Sequence, residues 1–410
     1  MTPPTITQST LVDTICQDIE QSLLAQDLKG IFNVLPDSDL LRKLCARRWT
    51  GRPGHDIQPL WHAFIAQYYL DLPSMNALIR RLEDDPYLAY ICGFNLDDPL
   101  PTRRTVNRFF EMLGQRWVLV ESCFNEAVTR LHMKLKDFGS VIAVDSTVIE
   151  AWSSPNRTPI SDPDAHWAHR KDDQGKTIAI WGYKVHVATC AKYELPLGVI
   201  VTPGNVNDTT QLIPLLTKLN AEFDWFSPKT VIADAGYDST SNYEFITSRF
   251  SAVPVIRMRK HGEKWASPDI ADYEGTPHCL AGIPFIFWGY DKRKGLKYVC
   301  PEKVGKIACP IFGKCGTSVV WIRPANDYRR FCPVPRASAR WKLIYAQRQS
   351  AEHIFSRLKE HRRLDDHCFR GIEKITVHST LAALVVVASA LAKIRAGRRY
   401  ELRACVRAIP

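Results

Sequence analysis

Four side chains in residues 341–360 (WKLIYAQRQSAEHIFSRLKE) have the types and spacing to do chemistry on a charged substrate. Tyr345, Arg348, Glu352 and Lys359 follow one another at steps of three, four and seven residues. If the stretch is one helix, these steps keep all four close to a single stripe. A second stripe, Leu343, Ile344, Ile354, Phe355 and Leu358, is apolar and would seat the helix on a core, holding Glu352 at the edge of a buried element. Upstream, two short apolar runs each deliver an aspartate. Residues 141–147 (VIAVDST) and 230–237 (TVIADAGY) read as buried strands with Asp145 and Asp234 at or near their ends, where open α/β sheets place ligands. Two aspartates and a glutamate brought together would repel one another unless cations lay between them. Hard carboxylate oxygens suit Mg²⁺ or Mn²⁺, and a pair of such ions held by Asp145, Asp234 and Glu352 outlines a two-metal phosphoryl-transfer site.

With these residues in place, the chain resembles the DDE transposases of bacterial insertion sequences. Asp145, Asp234 and Glu352 match the acidic triad of that family. The run from Tyr345 to Lys359 matches the Tyr-x2-Arg-x3-Glu-x6-Lys signature of one branch at every spacing. The likeness extends through residues 182–186 (GYKVH), 203–208 (PGNVND) and 234–238 (DAGYD), and so covers residues 140–395. The resemblance implies a ribonuclease H-like α/β catalytic domain, interrupted by a β-rich insertion and preceded by an all-helical domain. It also implies binding to the terminal inverted repeats of a mobile element as double-stranded DNA, metal-dependent cleavage and strand transfer, a homodimer on paired ends, and the bacterial cytosol as location. The branch further implies a DNA-hairpin intermediate. In this reading Arg348 and Lys359 neutralise backbone phosphate and Tyr345 hydrogen-bonds to it. Two other readings fit the same residues: a nuclease of this fold without strand transfer, and a DNA-binding regulator of element ends without catalysis.

The elements that must position these groups can be read in order. A chain of 410 residues with 45% hydrophobic composition suggests two or three domains, and a formal net charge of +11 favours a polyanionic partner. The first residues show no basic segment leading into an apolar one, so no secretory signal is expected, and the 12 cysteines are expected as thiols. Residues 381–392 are apolar but read as too short to cross a bilayer, and no membrane partner is expected.

Residues 1–136 read as a helical, DNA-binding domain. Within it Ser74 is expected to cap one helix and Pro86 to open another. Thr102 should cap a helix with Arg103, Arg104, Asn107 and Arg108 on one side and Val106, Phe109, Phe110 and Leu113 on the other. A basic, Asn-bearing last helix suits a helix-turn-helix reader of the major groove, and equally a bundle with a solvated basic face.

Residues 137–259 read as the first part of the catalytic domain. The segment 153–176, with Asp162, Asp164, His166, His169, Asp172 and Asp173, reads as a solvated polar loop. Lys184 and His186 neighbour Asp145 and could touch phosphate or line a polar sheet face. Asp208 reads as a helix N-cap and Asp238 as a turn residue.

Residues 260–340 read as the β-rich insertion, where Trp265, Trp288 and Trp321 could stack on an unpaired base or fill a core. Cys300, Cys309, Cys315 and Cys332 could close a structural zinc site, but their irregular spacing, with no Cys-x2-Cys knuckle, favours free thiols. Residues 341–397 complete the catalytic domain, and 398–410 read as a basic tail; its arginines, as far as Arg407, and the neighbouring Arg395 could track DNA, but a solvated terminus is the favoured reading.

Overall fold

The computed structural model describes residues 23–45, 56–171, 174–259, 272, 274–311 and 314–405. Asp172, Asp173, Trp265 and Arg407, named above, lie outside the described residues. Among the described residues seven helices come first: α1 (Leu23–Phe32), α2 (Ser38–Cys45), α3 (Ile57–Tyr69), α4 (Met75–Asp84), α5 (Pro86–Cys92), α6 (Arg103–Gly114) and α7 (Trp117–Lys134). Their starts follow local chemistry. The Ser74 hydroxyl accepts from the Ala77 N–H at 3.1 Å, Asp85 caps the proline-led α5, and Thr102 caps α6.

Strands then take over: β1 (Val141–Glu150), β2 (His166–Lys171), β3 (Thr177–Cys190), β4 (Leu195–Pro203), β5 (Thr230–Ala233) and β6 (Val253–Ile256), with α8 (Leu212–Glu222) and α9 (Thr240–Phe250) between the later ones. They form one mixed sheet. β3 runs antiparallel to β1, and β1, β5 and β6 run parallel in that order. β4 pairs with the second half of β3, while β2 pairs with its first half, residues 177–182. The segment read as a solvated loop therefore holds a strand. Its Asp162 is fully buried, accepting from the Tyr183 hydroxyl at 2.7 Å and from the Gly371 N–H. Polar composition concealed this, because a carboxylate that finds two donors can be buried where an unpaired one cannot.

A separate antiparallel sheet, β7 (Ile286–Asp291), β8 (Gly295–Val299) and β9 (Val319–Ile322), closes over Phe285, Leu296, Tyr298, Cys300 and Ile322. It is joined to the main sheet's surroundings by charge. Asp238, whose side chain is fully buried, receives two hydrogen bonds from the Arg329 guanidinium at 2.9 and 2.7 Å, besides one from the Arg259 N–H. Asp238 is thus an anchor for the insertion rather than only a turn residue.

The stretch expected as one helix is two, α10 (Ala339–Ala346) and α11 (Gln349–His361). Between them the backbone tightens into i→i−3 bonds, Arg348 N–H to the Tyr345 carbonyl and Ala351 N–H to that of Arg348. Together the two pieces touch two cores. Trp341 and Ala351 pack on Ala143, Ile232 and Val255, while Ile354, Phe355 and Leu358 enter the large core; Leu343, expected inside, is 73% exposed.

The last helix, α12 (Ile372–Arg395), is twice as long as the apolar stretch that marked it. By length and composition it could cross a membrane, yet its apolar window is 89% buried within the protein. It packs against β4 and against α1, α3, α6 and α7. One continuous apolar core consequently runs from the helical region to the sheet, across the boundary expected near residue 136.

Candidate active site

Parallel pairing sets the first two carboxylates side by side. Val144 of β1 is in register with Ala233 of β5, so Asp145 and Asp234 are the next residues on neighbouring strands. Side chains alternate across a sheet, so both lie on the face that Ala143 and Ile232 present to Trp341 and Ala351, where α10 and α11 pack. Asp234 turns out of its strand to cap a short 3₁₀ turn at Ala235–Tyr237, and its Oδ1 accepts the Gly236 N–H at 2.8 Å.

The third carboxylate arrives through Arg348. The guanidinium donates from one nitrogen to Asp145 Oδ2 at 3.1 Å and from the other to Glu352, one helical turn on. Glu352 lies in the first turn of α11, where the helix dipole favours a negative charge. Burial, then the charge of Asp234, push the Asp145 carboxyl up to about 7, against the opposing pull of the Ser146 N–H and Arg348. The Asp234 carboxyl is also raised, first by burial. An acidic pair so crowded is one that a cation would relieve, and the donors are all hard oxygens, a set that fits Mg²⁺ or Mn²⁺. Among the described residues, however, no three His, Cys, Asp or Glu side chains are gathered closely enough to share one ion, and Arg348 stands between Asp145 and Glu352.

The remaining residues singled out from the sequence fall into three groups. Tyr345 is half-buried, stacks on Trp341 with ring centroids 4.7 Å apart, and feels the charges of Arg348, Asp234 and Asp145. Lys359 lies farther along β1, its ammonium 3.0 Å from Asp365 and 3.3 Å from the Val148 carbonyl. Arg348 thus pairs with Glu352 on its own helix, whereas Lys359 takes Asp365. Arg103, Arg104, Asn107 and Arg108 lie on α6, exposed and away from the carboxylates, with Val106, Phe109, Phe110 and Leu113 buried on its other side.

Lys184 and His186 are both engaged within the protein. Lys184 donates to Asp208 at 3.0 Å and to the Val206 carbonyl, and Asn207, not Asp208, provides the cap there. His186 is fully buried between Thr202 and Tyr237, and burial lowers its imidazole to about 4.

The four cysteines are not drawn into one site: Cys300 belongs to the core of the insertion, whereas the buried Cys332 thiol donates to the Pro254 carbonyl beside Val255. The basic tail is also folded back. Arg398 pairs with Asp27 and Glu401, and Arg403 pairs with Glu194, which also receives Arg357.

Sequence reasoning missed Arg259. Its guanidinium donates to Thr209 Oγ1 and to the carbonyls of Ala235 and Gly236, so it braces the turn that holds Asp234. Nothing in its spacing could have flagged it, because its partners lie 23–50 residues away.

A helical N-terminal region leading into a sheet-containing α/β part, with one aspartate within a strand and a second just past the end of its parallel neighbour, is the class of protein that fold and site define. Residues 136–388, more than half of the chain, match the family model described as Transposase DDE domain, and residues 17–112 match one described as Transposase domain (DUF772). The chain belongs to the DDE transposase family and is an enzyme of the DDE type, a class that generally uses divalent metal ions. Among solved structures, it is similar to a chain described as a cryo-EM structure of piggyBac transposase synaptic complex with hairpin DNA. That likeness has 10% identity and a TM-score of 0.43 over 93% of this chain and 78% of the other, and nothing about chemistry follows from it.

Proposed function

We propose that this transposase binds the terminal inverted repeats of an insertion sequence and carries out both cleavage and strand transfer at one site built from Asp145, Asp234 and Glu352. The observation that carries this is the placement of Asp145 and Asp234 on adjacent parallel strands, with Arg348 tying Glu352 to Asp145. The sheet supports a ribonuclease H-like reading, since an antiparallel β4–β3–β1 set followed by parallel β5 and β6 is the strand order of that fold. Two Mg²⁺ or Mn²⁺ ions held by the three carboxylates would activate the attacking oxygen and stabilise the departing one. Arg348 exchanges its carboxylate partners for a backbone phosphate, gripping it with two hydrogen bonds, and so registers the scissile bond beside Asp145. Tyr345 donates its hydroxyl proton to the same backbone, and Lys359 meets it farther along α11. On α6, Arg103, Arg104, Asn107 and Arg108 contact the double-stranded terminal repeat, and a homodimer holds the two ends in the bacterial cytosol.

Linear DNA carrying the sequences that flank the reading frame tests this. Incubated with protein and Mg²⁺, it should give joined products from ends cut at the repeats. Nicks without joined products would assign a nuclease, and binding without either would assign a regulator of element ends.

A further inference from the structure

Past the candidate site, β3 outruns its neighbours. β1 ends at Glu150, opposite Gly182, and β4 ends at Pro203, opposite Tyr183; beyond Trp181, whose carbonyl still accepts the Ala151 N–H, residues 177–180 pair only with β2. The result is a two-stranded ribbon projecting from the sheet. Trp167 is directly opposite Trp181, and the rings meet edge-on with centroids 5.6 Å apart. Trp181 is anchored, its indole N–H donating to Ser153 Oγ at 2.9 Å, whereas Trp167 is 46% exposed and Trp152 nearby is 57% exposed. Large exposed aromatics have a reason when they are clustered.

Register gives the direction. Asp145 is opposite Val187, and Val187, Val185, Tyr183 and Trp181 alternate onto one face, so Trp181 and its cross-strand partner Trp167 share the face of Asp145. Six residues of strand separate the two positions, about 20 Å at roughly 3.4 Å per residue. Basic side chains border the way. Lys359 sits at Val148, paired with Asp365, and Arg370 is exposed with its Nε–H on the Trp152 carbonyl; Glu150 alternates onto the reverse face.

Building on the function proposed above, we propose that this ribbon is a docking surface for the DNA strand that continues from the candidate site, with Trp167 as the platform on which an unpaired base stacks. A positive border along an aromatic step is the general chemistry of single-strand recognition, in which each base offers a π face whatever its sequence. At about 3.4 Å per stacked nucleotide, 20 Å places the stacked base about six nucleotides from the scissile phosphate.

The test uses the full chain in EDTA, which prevents cutting. Its probes are duplexes of the terminal sequence whose flank is either paired or unpaired, with 2-aminopurine stepped through the flank. Native protein should quench the probe most at about the sixth nucleotide of the unpaired flank. Trp167→Ala should abolish that quenching and weaken binding to the unpaired-flank duplex about tenfold, leave the paired one unchanged, and be rescued in part by Trp167→Phe. Equal binding of both duplexes by native protein and Trp167→Ala would overturn the proposal. So would quenching lost only in Trp288→Ala, which would assign the base to the insertion, or a Trp167→Ala effect confined to oligomeric state by light scattering, which would make the ribbon a protein interface. Failure of the native protein to bind either duplex would instead remove the transposase reading of the site itself.

Discussion

Arg348 holds Asp145 and Glu352, and Lys359 holds Asp365 and a strand carbonyl, whereas Arg103, Arg104 and Arg108 on α6 are exposed with no ion-pair or hydrogen-bond partner among the described residues. The two sets look alike in composition and differ in what they can do. A cation already in an ion pair fixes the geometry around it, and it contributes to binding only the difference between its old partner and its new one. An unpaired surface cation gives its full counterion-release effect to any polyanion. On the function proposed above, geometry at the acids and affinity on the helical region would be separable tasks, carried by separate arginines.

The largest effect should come from removing an acid. Asp234→Asn or Glu352→Gln should lower DNA cleavage by about a thousandfold or more, equivalent to roughly 4 kcal/mol of lost transition-state stabilisation, with binding to terminal DNA within about twofold. Cleavage assays and anisotropy on the same preparations read the two outcomes. Binding that fell along with cleavage would dissolve the division of labour.

Next is the cation held by a fully buried carboxylate. Asp238→Ala would leave the Arg329 guanidinium without its bidentate partner and should destabilise the protein by about 3–5 kcal/mol in chemical denaturation. Salt dependence of DNA binding, measured well below the midpoint, should stay as in the parent.

The Asp145 carboxyl gives a pH signature of slightly smaller size. Its folded value of about 7 stands above its ordinary 3.8, so the native state holds this proton more tightly than the unfolded chain. The resulting stabilisation is complete below about pH 4 and is lost as pH rises through 7, a change of about 2–4 kcal/mol at roughly 1.4 kcal/mol per pH unit. In EDTA, Asp145→Asn should flatten the fall of stability between pH 5 and 8. Identical pH profiles for parent and variant would mean that Arg348 already keeps the carboxylate ionised.

The smallest effects sharpen the comparison most directly. Changing Arg103, Arg104 and Arg108 together to Ala should reduce the slope of log K against log salt by roughly 2–3 units, close to 0.9 per lost phosphate contact. Lys359→Ala should reduce it by less than one unit, because Asp365 already neutralises part of that charge. A larger slope change per residue at Lys359 than on α6 would reverse the assignment of affinity to the helical region.

Much of the route to the site is local chemistry, and local chemistry was legible. Strands carrying Asp145 and leading into Asp234 followed from short β-branched runs, although β1 continues past Asp145 to Glu150, and the caps at Ser74 and Thr102 followed from one side chain each and the amphipathic α6 from its period, since all depend on residues a few places apart. The spacing from Tyr345 to Lys359 likewise carried the family, which the match over residues 136–388 then established. What the sequence could not determine depends on partners far along the chain. The helix is broken at Arg348, and a tyrosine 21 residues away allowed Asp162 to be buried in a segment that reads as solvated. The same holds for cations. Whether an arginine faces a carboxylate, as Arg348 and Arg329 do, or only water, as on α6, is decided by contacts across 91 to 203 residues, and ion pairing over such separations leaves no periodic trace in the chain.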